Sequence, residues 1–337
     1  MPVVVKVTTS SPDLSEIFLR QTPRRAGLWN NCIFYVNEPV ERCDWWVICH
    51  GSALDKREST LCDPDHVVFI SMEPTEGSVP NAFYEQFSKL VLCDRRIAHS
   101  DIQYANGTTW WVGINVRHEN GHQFSRAVSQ DYDSFVTMAI PEKRKRISVI
   151  CSKTQSLPGH RKRLEFLDKL REHPISEDID FYGGGHNPIS DKFDAIRPYK
   201  YHIVLENSTV TDYWSEKLGD PFLGFSLPIY YGCPNIDDYF SEKSLIRIDI
   251  ENFEGTVSTL ERLIRDDPYE SFLPEIINAR NLVLNKYNIF QLMADICNQP
   301  ASRHTSCRVK PVSHFVRSWP RRVARKLIYR LRGIQSD

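Results

Sequence analysis

Short, continuous runs of apolar residues recur through the first half of the chain and are separated by polar segments. The runs are rich in valine and isoleucine, which is typical of strands buried on both faces, as in parallel sheets. They predict five strands, at residues 3–7, 32–36, 44–49, 66–71 and 89–93. The polar stretch 117–133 has few apolar residues and is expected to be a loop or a passage between domains.

Strands and amphipathic helices alternate more regularly in the second half. Apolar runs predict strands at residues 146–151, 178–182, 201–205, 227–231 and 244–250. Apolar residues on one helical face predict helices at residues 159–171, 213–223 and 255–265, and a long helical stretch follows from about 269 to 296. This alternation implies βαβ units and a parallel sheet.

Two such series in 337 residues predict an α/β protein with two Rossmann-like domains that face each other across a cleft. We expect a first domain at residues 1–140, a second at 141–307 and a separate tail at 308–337. Ligands of such sheets bind outside the carboxyl ends of the strands, so we expect the binding and catalytic residues to follow the predicted strands directly.

Charge and cysteine usage narrow the classes of function. The formal net charge is −1 at pH 7, which argues against a dedicated nucleic-acid-binding protein. The nine cysteines include no Cys-x-x-Cys pair, and several lie in apolar runs, so we expect free buried thiols in a reducing compartment. A zinc site built on Cys43, Cys49 and His50 is the less favoured alternative, because zinc ligands are usually more closely spaced.

The sequence predicts a cytoplasmic protein, either in the cytosol or peripherally on the cytosolic face of a membrane. It has no run of about 20 apolar residues, and its first residues lack the architecture of a signal peptide. The tail holds nine basic residues and one acidic residue, and its apolar residues recur at spacings of three or four: Val316, Trp319, Val323, Leu327, Leu331 and Ile334. This pattern predicts a basic amphipathic helix that docks on an anionic membrane. A last helix packed against the body is the alternative.

The candidate chemistry is concentrated after the third predicted strand of the second half. That strand runs into the polar residues 206–208, and Thr211 or Asp212 is placed to cap the next helix. A helix N-terminus favours anions, so Lys217 in its early turns makes a site for a diphosphate. Glu216 is placed to accept hydrogen bonds from sugar hydroxyls. Each residue alone would be a cap or a surface ion pair, but the cluster favours a functional site.

At this point the stretch 201–232 resembles the α-1,3/1,4-fucosyltransferase family, glycosyltransferase family 10. Seven residues match the family's donor motif at the expected gaps: Glu206, Asn207, Tyr213, Glu216, Lys217, Pro228 and Gly232. Leu205 and Ser215 replace the family's usual phenylalanine and threonine. The resemblance covers residues 145–250 well and the N-terminal half loosely.

The resemblance implies a GT-B fold and an inverting, metal-independent transfer of L-fucose from GDP-β-L-fucose to a hydroxyl of a glycan acceptor. The second domain then binds the nucleotide-sugar donor, and the first binds the acceptor. By the same resemblance, Lys217 pairs with the diphosphate, and Glu216 and Tyr213 contact the ribose and nucleotide. Asn207 hydrogen-bonds near the sugar–phosphate link.

The family also has a phosphate-binding arginine early in its C-terminal domain. Its match here is Arg161, with Arg163 as a nearby rival. No metal and no cofactor besides the donor substrate is expected, so cations and a helix N-terminus must stabilise the departing diphosphate. Asp178 and Asp180 have the Asp-x-Asp spacing of metal-dependent transferases, but they lie within a predicted strand.

Inverting transfer needs a general base that takes the proton of the acceptor hydroxyl. Glu73 follows the predicted strand 66–71 and precedes Pro74, and the family places its base in such a segment. Glu76 is the fallback. Glu73 as a helix cap or a structural hydrogen-bond acceptor is the alternative to a catalytic role.

Two other functions stay open. In the first, the protein is a glycosyltransferase that uses another nucleotide sugar, since a diphosphate site does not distinguish one sugar from another. In the other, the protein is a catalytically idle module of the same fold that binds glycans or membranes.

Overall fold

The chain divides into two compact units, each with its own sheet. The computed structural model describes residues 2–316 except 11–13, 51–52, 55, 75–78, 120–121, 156–157 and 184–186. The first unit comprises the described residues up to Gly107 and from Ile289 onward, and the second comprises Thr108–Asn288. The second unit is therefore an insertion into the first.

Short strands and helices alternate through both units. In chain order the strands are β1 (Val3–Thr8), β2 (Leu28–Trp29), β3 (Cys32–Val36), β4 (Trp45–Cys49), β5 (Glu58–Cys62), β6 (Val67–Ile70), β7 (Lys89–Val91), β8 (Ile102–Gln103), β9 (Ile114–Glu119), β10 (His122–Val128), β11 (Lys145–Ile150), β12 (Ile179–Tyr182), β13 (Tyr199–Leu205), β14 (Leu227–Tyr231), β15 (Ile246–Arg247) and β16 (Thr305–Val309). The α-helices are α1 (Leu14–Leu19), α2 (Asn81–Tyr84), α3 (Tyr132–Thr137), α4 (Pro158–Glu172), α5 (Glu216–Leu223), α6 (Phe253–Asp266), α7 (Tyr269–Asn281), α8 (Ile289–Ile296) and α9 (Val312–Phe315).

The first unit is built on a sheet with the strand order β2-β3-β1-β4-β6-β7-β8. All neighbouring strands are parallel except the edge strand β2, which is antiparallel to β3. All five residues of β4 and all four of β6 are buried, as expected for strands covered on both faces. The chain reverses its direction of travel between β1 and β4, so the carboxyl ends of these strands form the switch point where ligands of such sheets bind.

The second unit is built on a parallel sheet with the order β12-β11-β13-β14-β15. Its switch point lies between β11 and β13, because β12 lies on one side of β11 and the later strands continue on the other. The side chains of this sheet and of the helices around it form one apolar core. Its fully buried members include Leu167, Leu218, Phe222, Ile229 and Leu260. The prediction of an α/β protein with two Rossmann-like domains is confirmed.

The predicted loop at residues 117–133 is wrong. Strands β9 and β10 pair there as an antiparallel hairpin with one irregularity of register. Asp191 holds the base of the hairpin, accepting the Gly113 N–H at 2.9 Å and the Ser129 hydroxyl at 2.8 Å. The strands were missed because backbone pairing, rather than a run of buried apolar residues, defines this ribbon.

Both domain boundaries differ from the predicted 140/141 and 307/308. Residues 108–140 belong to the second unit because Trp110, Val112 and Phe135 pack in its core. The chain returns to the first unit at Ile289, well before 307, and β16 then pairs antiparallel with β5. Part of the predicted tail, Arg308 and Val309, is therefore a strand of the first unit.

The long helical stretch at 269–296 is divided into α7, a π-helical turn at Leu282–Lys286, and α8. The predicted basic amphipathic helix falls almost entirely on residues 317–337, which lie outside the described residues. Within the described part of the chain, no helix combines the length and apolar character needed to cross a membrane.

Candidate functional site

A carboxylate connects the end of β13 to the start of α5 in the second unit. Glu206, the first residue after β13, is buried and accepts the backbone N–H of Ser215 at 2.8 Å. The Ser215 hydroxyl lies 2.9 and 2.8 Å from the two oxygens of the same carboxylate. Gly232 leaves room for it, since a Cβ atom there would lie 2.5 Å from the Cγ atom of Glu206.

The helix cap is Ser215, and the predicted caps Thr211 and Asp212 are wrong. Ser215 accepts the Lys217 N–H at 3.3 Å and begins α5 three residues after Asp212. Asp212 instead occupies a left-handed turn, with φ of 66°. The helix therefore begins at Glu216, which brings Glu216 and Lys217 into its first turn, where free backbone N–H groups favour anions.

Lys217 lies among acceptors at this sheet edge. Its Nζ atom is 3.1 Å from the Ser215 hydroxyl, 3.4 Å from Glu216 and 3.5 Å from Glu206. Burial disfavours the protonated amine, but the two carboxylates outweigh burial, so the pKa of Lys217 lies above its usual range. The amine is thus a fixed positive charge whose local field is largely offset by its own partners.

A second lysine, missed by sequence reasoning, completes this network. Lys192 lies 3.6 Å from Glu216 and 3.8 Å from the buried Asp220. Burial opposes ionisation of Glu216, but Lys217 and Lys192 prevail and hold its pKa at about 2. Burial raises the pKa of Asp220 to about 6. No motif marks Lys192 in the sequence, since it comes from a short 3-10 turn at Lys192–Ala195.

Asn207 faces the start of α4. Its Nδ2 atom lies 3.4 Å from His160 Nε2, and its Oδ1 atom is buried with no hydrogen-bond partner among the described residues. A Cβ atom at Gly159 would collide with the Asn207 carbonyl oxygen, so only glycine allows the helix to approach this closely. Tyr213 lies in the turn that precedes α5, and its side chain is buried. The structure thus brings Glu206, Asn207, Glu216 and Lys217 to one sheet edge.

The two candidate arginines of α4 have different surroundings. Arg161 is exposed and donates to the Gln155 carbonyl oxygen at 3.4 Å. Arg163 is 5% exposed and donates to the Ser152 hydroxyl at 3.2 Å. This difference in burial could have been predicted from the helical spacing, because position 163 shares the buried face of α4 with Phe166, Leu167 and Leu170. The role of Arg161 stays a prediction.

Glu73 lies in the first unit, three residues after β6 ends. Its backbone N–H donates to the Ser71 hydroxyl at 3.1 Å, and its half-exposed carboxylate lies 3.5 Å from His50 Nε2. His50 follows the adjacent strand β4 and adopts a left-handed φ of 78°, which is uncommon for a residue with a side chain. His50 was not predicted as a partner of Glu73. The fallback Glu76 lies outside the described residues.

A cavity of about 690 Å³ opens at the carboxyl end of β1 in the first unit. Lys6, Thr8, Asn37 and Glu58 contribute to its wall. Lys6 is buried and lies 3.4 Å from Glu58, which also accepts the Thr8 hydroxyl at 3.4 Å. Hydroxyl, amide and charged groups therefore line a concave site beside the switch point of this sheet.

The candidate metal ligands have other partners. Asp180 accepts from Lys145 at 2.9 Å and from the Tyr199 hydroxyl at 2.5 Å. Cys43 and Cys49 are buried free thiols, and burial raises the pKa of Cys49 to about 12, which disfavours a zinc-binding thiolate. Among the residues that the structure describes, no three side chains are grouped as metal ligands would be.

Comparison with known proteins places this architecture in a family. Residues 140–305 match the model described as glycosyltransferase family 10 (fucosyltransferase), C-terminal. Alpha-(1,3)-fucosyltransferase B of Drosophila melanogaster is 31% identical over 126 residues, which are 36% of this chain and 28% of that protein. GDP-fucose protein O-fucosyltransferase 3 of Homo sapiens is 31% identical over 124 residues, which are 34% of this chain and 24% of that protein.

The chain spans less than a third of the length of either relative. A solved α1,3-fucosyltransferase with GDP-fucose is 16% identical, with a TM-score of 0.49, over 90% of this chain and 93% of that chain. The family match begins before β11 and ends within β16, so it includes the whole parallel sheet of the second unit and the cluster at its edge. Residues 140–305 of the chain therefore form a domain of glycosyltransferase family 10, the fucosyltransferase family.

Proposed function

We propose that this protein transfers L-fucose from GDP-β-L-fucose to a hydroxyl of a glycan acceptor, with inversion at the sugar carbon. The observation that carries the proposal is the placement of Lys217 in the first turn of α5, beside Glu206, at the switch point of the parallel sheet. Family membership and the names of the relatives support fucose as the transferred sugar.

The donor lies against the second unit in this proposal. Lys217 and the first turn of α5 stabilise the diphosphate as negative charge develops on it, together with a guanidinium from α4, for which the resemblance assigns Arg161. Glu216 and Tyr213 contact the ribose and nucleotide, and Asn207 hydrogen-bonds near the sugar–phosphate link. The Oδ1 atom of Asn207 has no hydrogen-bond partner among the described residues, which supports this assignment.

The acceptor reacts through Glu73. Its carboxylate takes the proton of the acceptor hydroxyl as the hydroxyl oxygen bonds to the anomeric carbon from the face opposite the diphosphate. The electron pair of the breaking carbon–oxygen bond remains on the leaving diphosphate, so a β-linked donor gives an α-linked product. His50, at 3.5 Å, holds the Glu73 carboxylate in place.

The test is incubation of the purified full chain with GDP-fucose and a panel of glycan and serine- or threonine-containing peptide acceptors. Mass and linkage analysis of the products identifies the acceptor and the anomer. The peptides are included because one relative is named a protein O-fucosyltransferase. We expect GDP release coupled to an α-linked fucosyl product. A β-linked product excludes inversion, and transfer only from another GDP- or UDP-sugar assigns a different donor. Donor binding without transfer to any acceptor indicates an idle module.

We also propose that the enzyme is cytoplasmic and that its basic tail holds it on the cytosolic face of an anionic membrane. The support is the excess of basic over acidic residues at 308–337 and the apolar stripe beside them. Vesicles with and without anionic lipid provide the measurement, and equal binding of the full chain and a tail-less chain would contradict it.

A further inference from the structure

The backbone of Lys192 is fixed by its two neighbours in the chain. Asp191, before it, is 5% exposed and accepts the Phe193 N–H at 2.8 Å, in addition to the Gly113 N–H and the Ser129 hydroxyl at the base of the hairpin. Phe193, after it, is buried in the apolar core of the second unit. The side chain of Lys192 therefore starts from a well-held 3-10 turn, as a residue that orients another side chain must.

The side chain of Lys192 meets two carboxylates of α5. Its Nζ atom lies 3.6 Å from Glu216 Oε1 and 3.8 Å from Asp220 Oδ2. Glu216 and Asp220 are four residues apart, so they are neighbours on one face of the helix. Lys217 Nζ lies 3.4 Å from the same Oε1 atom. One oxygen of Glu216 is therefore held between two amines, which come from different elements of the second unit.

Asp220 depends on Lys192 for its counter-charge. Its side chain is 2% exposed, and Oδ1 accepts the Trp111 N–H at 2.9 Å, whereas the buried Oδ2 has no hydrogen-bond partner among the described residues. Lys192 is the one cation that the described part of the chain places within 4 Å of this carboxylate. Burial raises the pKa of Asp220 to about 6, and Lys192 acts against this rise. Above that pH the carboxylate is charged, and Lys192 is its ion-pair partner.

Lys192 also decides the net charge of the site. The ion-paired side chains at this sheet edge are the carboxylates of Glu206, Glu216 and Asp220 and the amines of Lys217 and Lys192. Without Lys192, one amine would remain with three carboxylates. Each uncompensated carboxylate repels an approaching diphosphate, and the repulsion is strong where burial limits screening by water and salt. The lysine therefore removes a repulsion from the site.

We propose that Lys192 is a positioning residue for the nucleotide donor. It holds the Glu216 carboxylate beside Lys217 and offsets the charge of Glu216 and Asp220, so that a nucleoside diphosphate can bind at the first turn of α5. This inference rests on the proposed function for the identity of the donor and for its contact with Glu216. Lys192 acts through Glu216, which distinguishes it from a lysine that binds the phosphates itself.

The test is a double-mutant cycle of Lys192 and Glu216, in which GDP affinity is measured by isothermal titration calorimetry. Lys192→Met should weaken GDP binding roughly 10-fold, an effect of the size found for side chains coupled in one ion-pair network. In a Glu216→Gln background, the same replacement should weaken binding less than about 3-fold, because the carboxylate that Lys192 positions is gone. Lys192→Arg keeps the charge and should bind GDP within about 3-fold of wild type.

Lys200→Met is the matched control. Lys200 lies near the amino end of β13, away from the switch point, and forms an ion pair with Asp267. Its replacement removes an ion-paired lysine from the same unit and should leave GDP affinity unchanged, because ligands bind at the carboxyl ends of the strands. If Lys192→Met does not fold because Asp220 has lost its cation, Asp220→Asn is added to every member of the cycle, which removes the unpaired buried charge.

The outcomes separate this inference from the proposed function. Additive losses in the cycle overturn the inference, because they show that Lys192 acts independently of Glu216. Unchanged GDP affinity in Lys192→Met also overturns it, even if the variant unfolds at a lower temperature, and so does a Lys192→Arg chain that binds as weakly as Lys192→Met. Wild-type protein that binds no GDP overturns it as well. Coupling of the expected size in a chain that transfers no fucose upholds the inference and contradicts the proposed function. Fucose transfer with an unchanged donor KM in Lys192→Met contradicts the inference alone.

Discussion

Replacement of Ser215 by alanine tests the connection between β13 and α5 on which the site depends. The Ser215 hydroxyl contacts both oxygens of the buried Glu206 carboxylate and also caps α5 at the Lys217 N–H. Loss of an N-cap costs about 1 kcal/mol. Loss of a hydrogen bond to a charged group costs roughly 1.5–3 kcal/mol. We therefore expect Ser215→Ala to lower the free energy of unfolding by about 2.5–4 kcal/mol.

Thermal and urea unfolding, followed by far-UV circular dichroism, measure this change. For a domain of 150–250 residues, the expected loss corresponds to a fall in Tm of about 5–15 °C. Ser215→Thr is the matched control, since it keeps the hydroxyl and adds only a methyl group. GDP affinity should fall with Ser215→Ala, because Lys217 loses its helical position. A loss of stability below about 0.5 kcal/mol, or an equal loss in Ser215→Thr, would refute the reasoning.

Three further outcomes are expected. Glu73→Gln should lower the rate of fucose transfer by roughly 100-fold or more with unchanged GDP affinity, and a wild-type rate would remove Glu73 as the base. Burial raises the pKa of Asp220 from its ordinary value of 3.8 to about 6. Between these two pH values the folded chain keeps a proton that the unfolded chain releases, so the free energy of unfolding falls as the pH rises from about 4 to about 6. Asp220→Asn should remove that part of the pH dependence in urea unfolding, leaving the variant more stable than wild type at pH 7; identical pH profiles would contradict this. A chain truncated after Val316, which preserves β16, should lose binding to anionic vesicles but retain GDP binding, and undiminished vesicle binding would exclude the tail as the anchor.

The apolar runs predicted the sheets well because buried parallel strands require them. Strands β3 and β14 have the predicted bounds, and the other central strands differ by one or two residues. The hairpin of β9 and β10 was not predictable in this way, since its backbone groups pair with each other without a continuous apolar run. The predicted domain boundaries also differ from the observed ones, because the contacts that define the units join residues distant in sequence, as between β5 and β16.

The site was predictable where its residues follow a strand directly. Glu206, Asn207 and Lys217 could be placed at the sheet edge from their distance to a buried strand. The pairing of Glu73 with His50 could not, because it depends on which strands become neighbours in the sheet. The burial of Arg163 could have been found from its helical spacing to Phe166 and Leu167.

The insertion of the second unit into the first sets the order in which the chain becomes complete on the ribosome. Thr305 of β16 and its partner Cys62 of β5 are separated by 243 positions. At ordinary rates of synthesis, β5 waits roughly 10–50 s for β16 to be made. All of Thr108–Asn288 emerges during that interval. The second unit can therefore reach its native form while the strand edge of β5 is still open, and a nascent chain stalled at this stage is the species most exposed to misassembly through that edge.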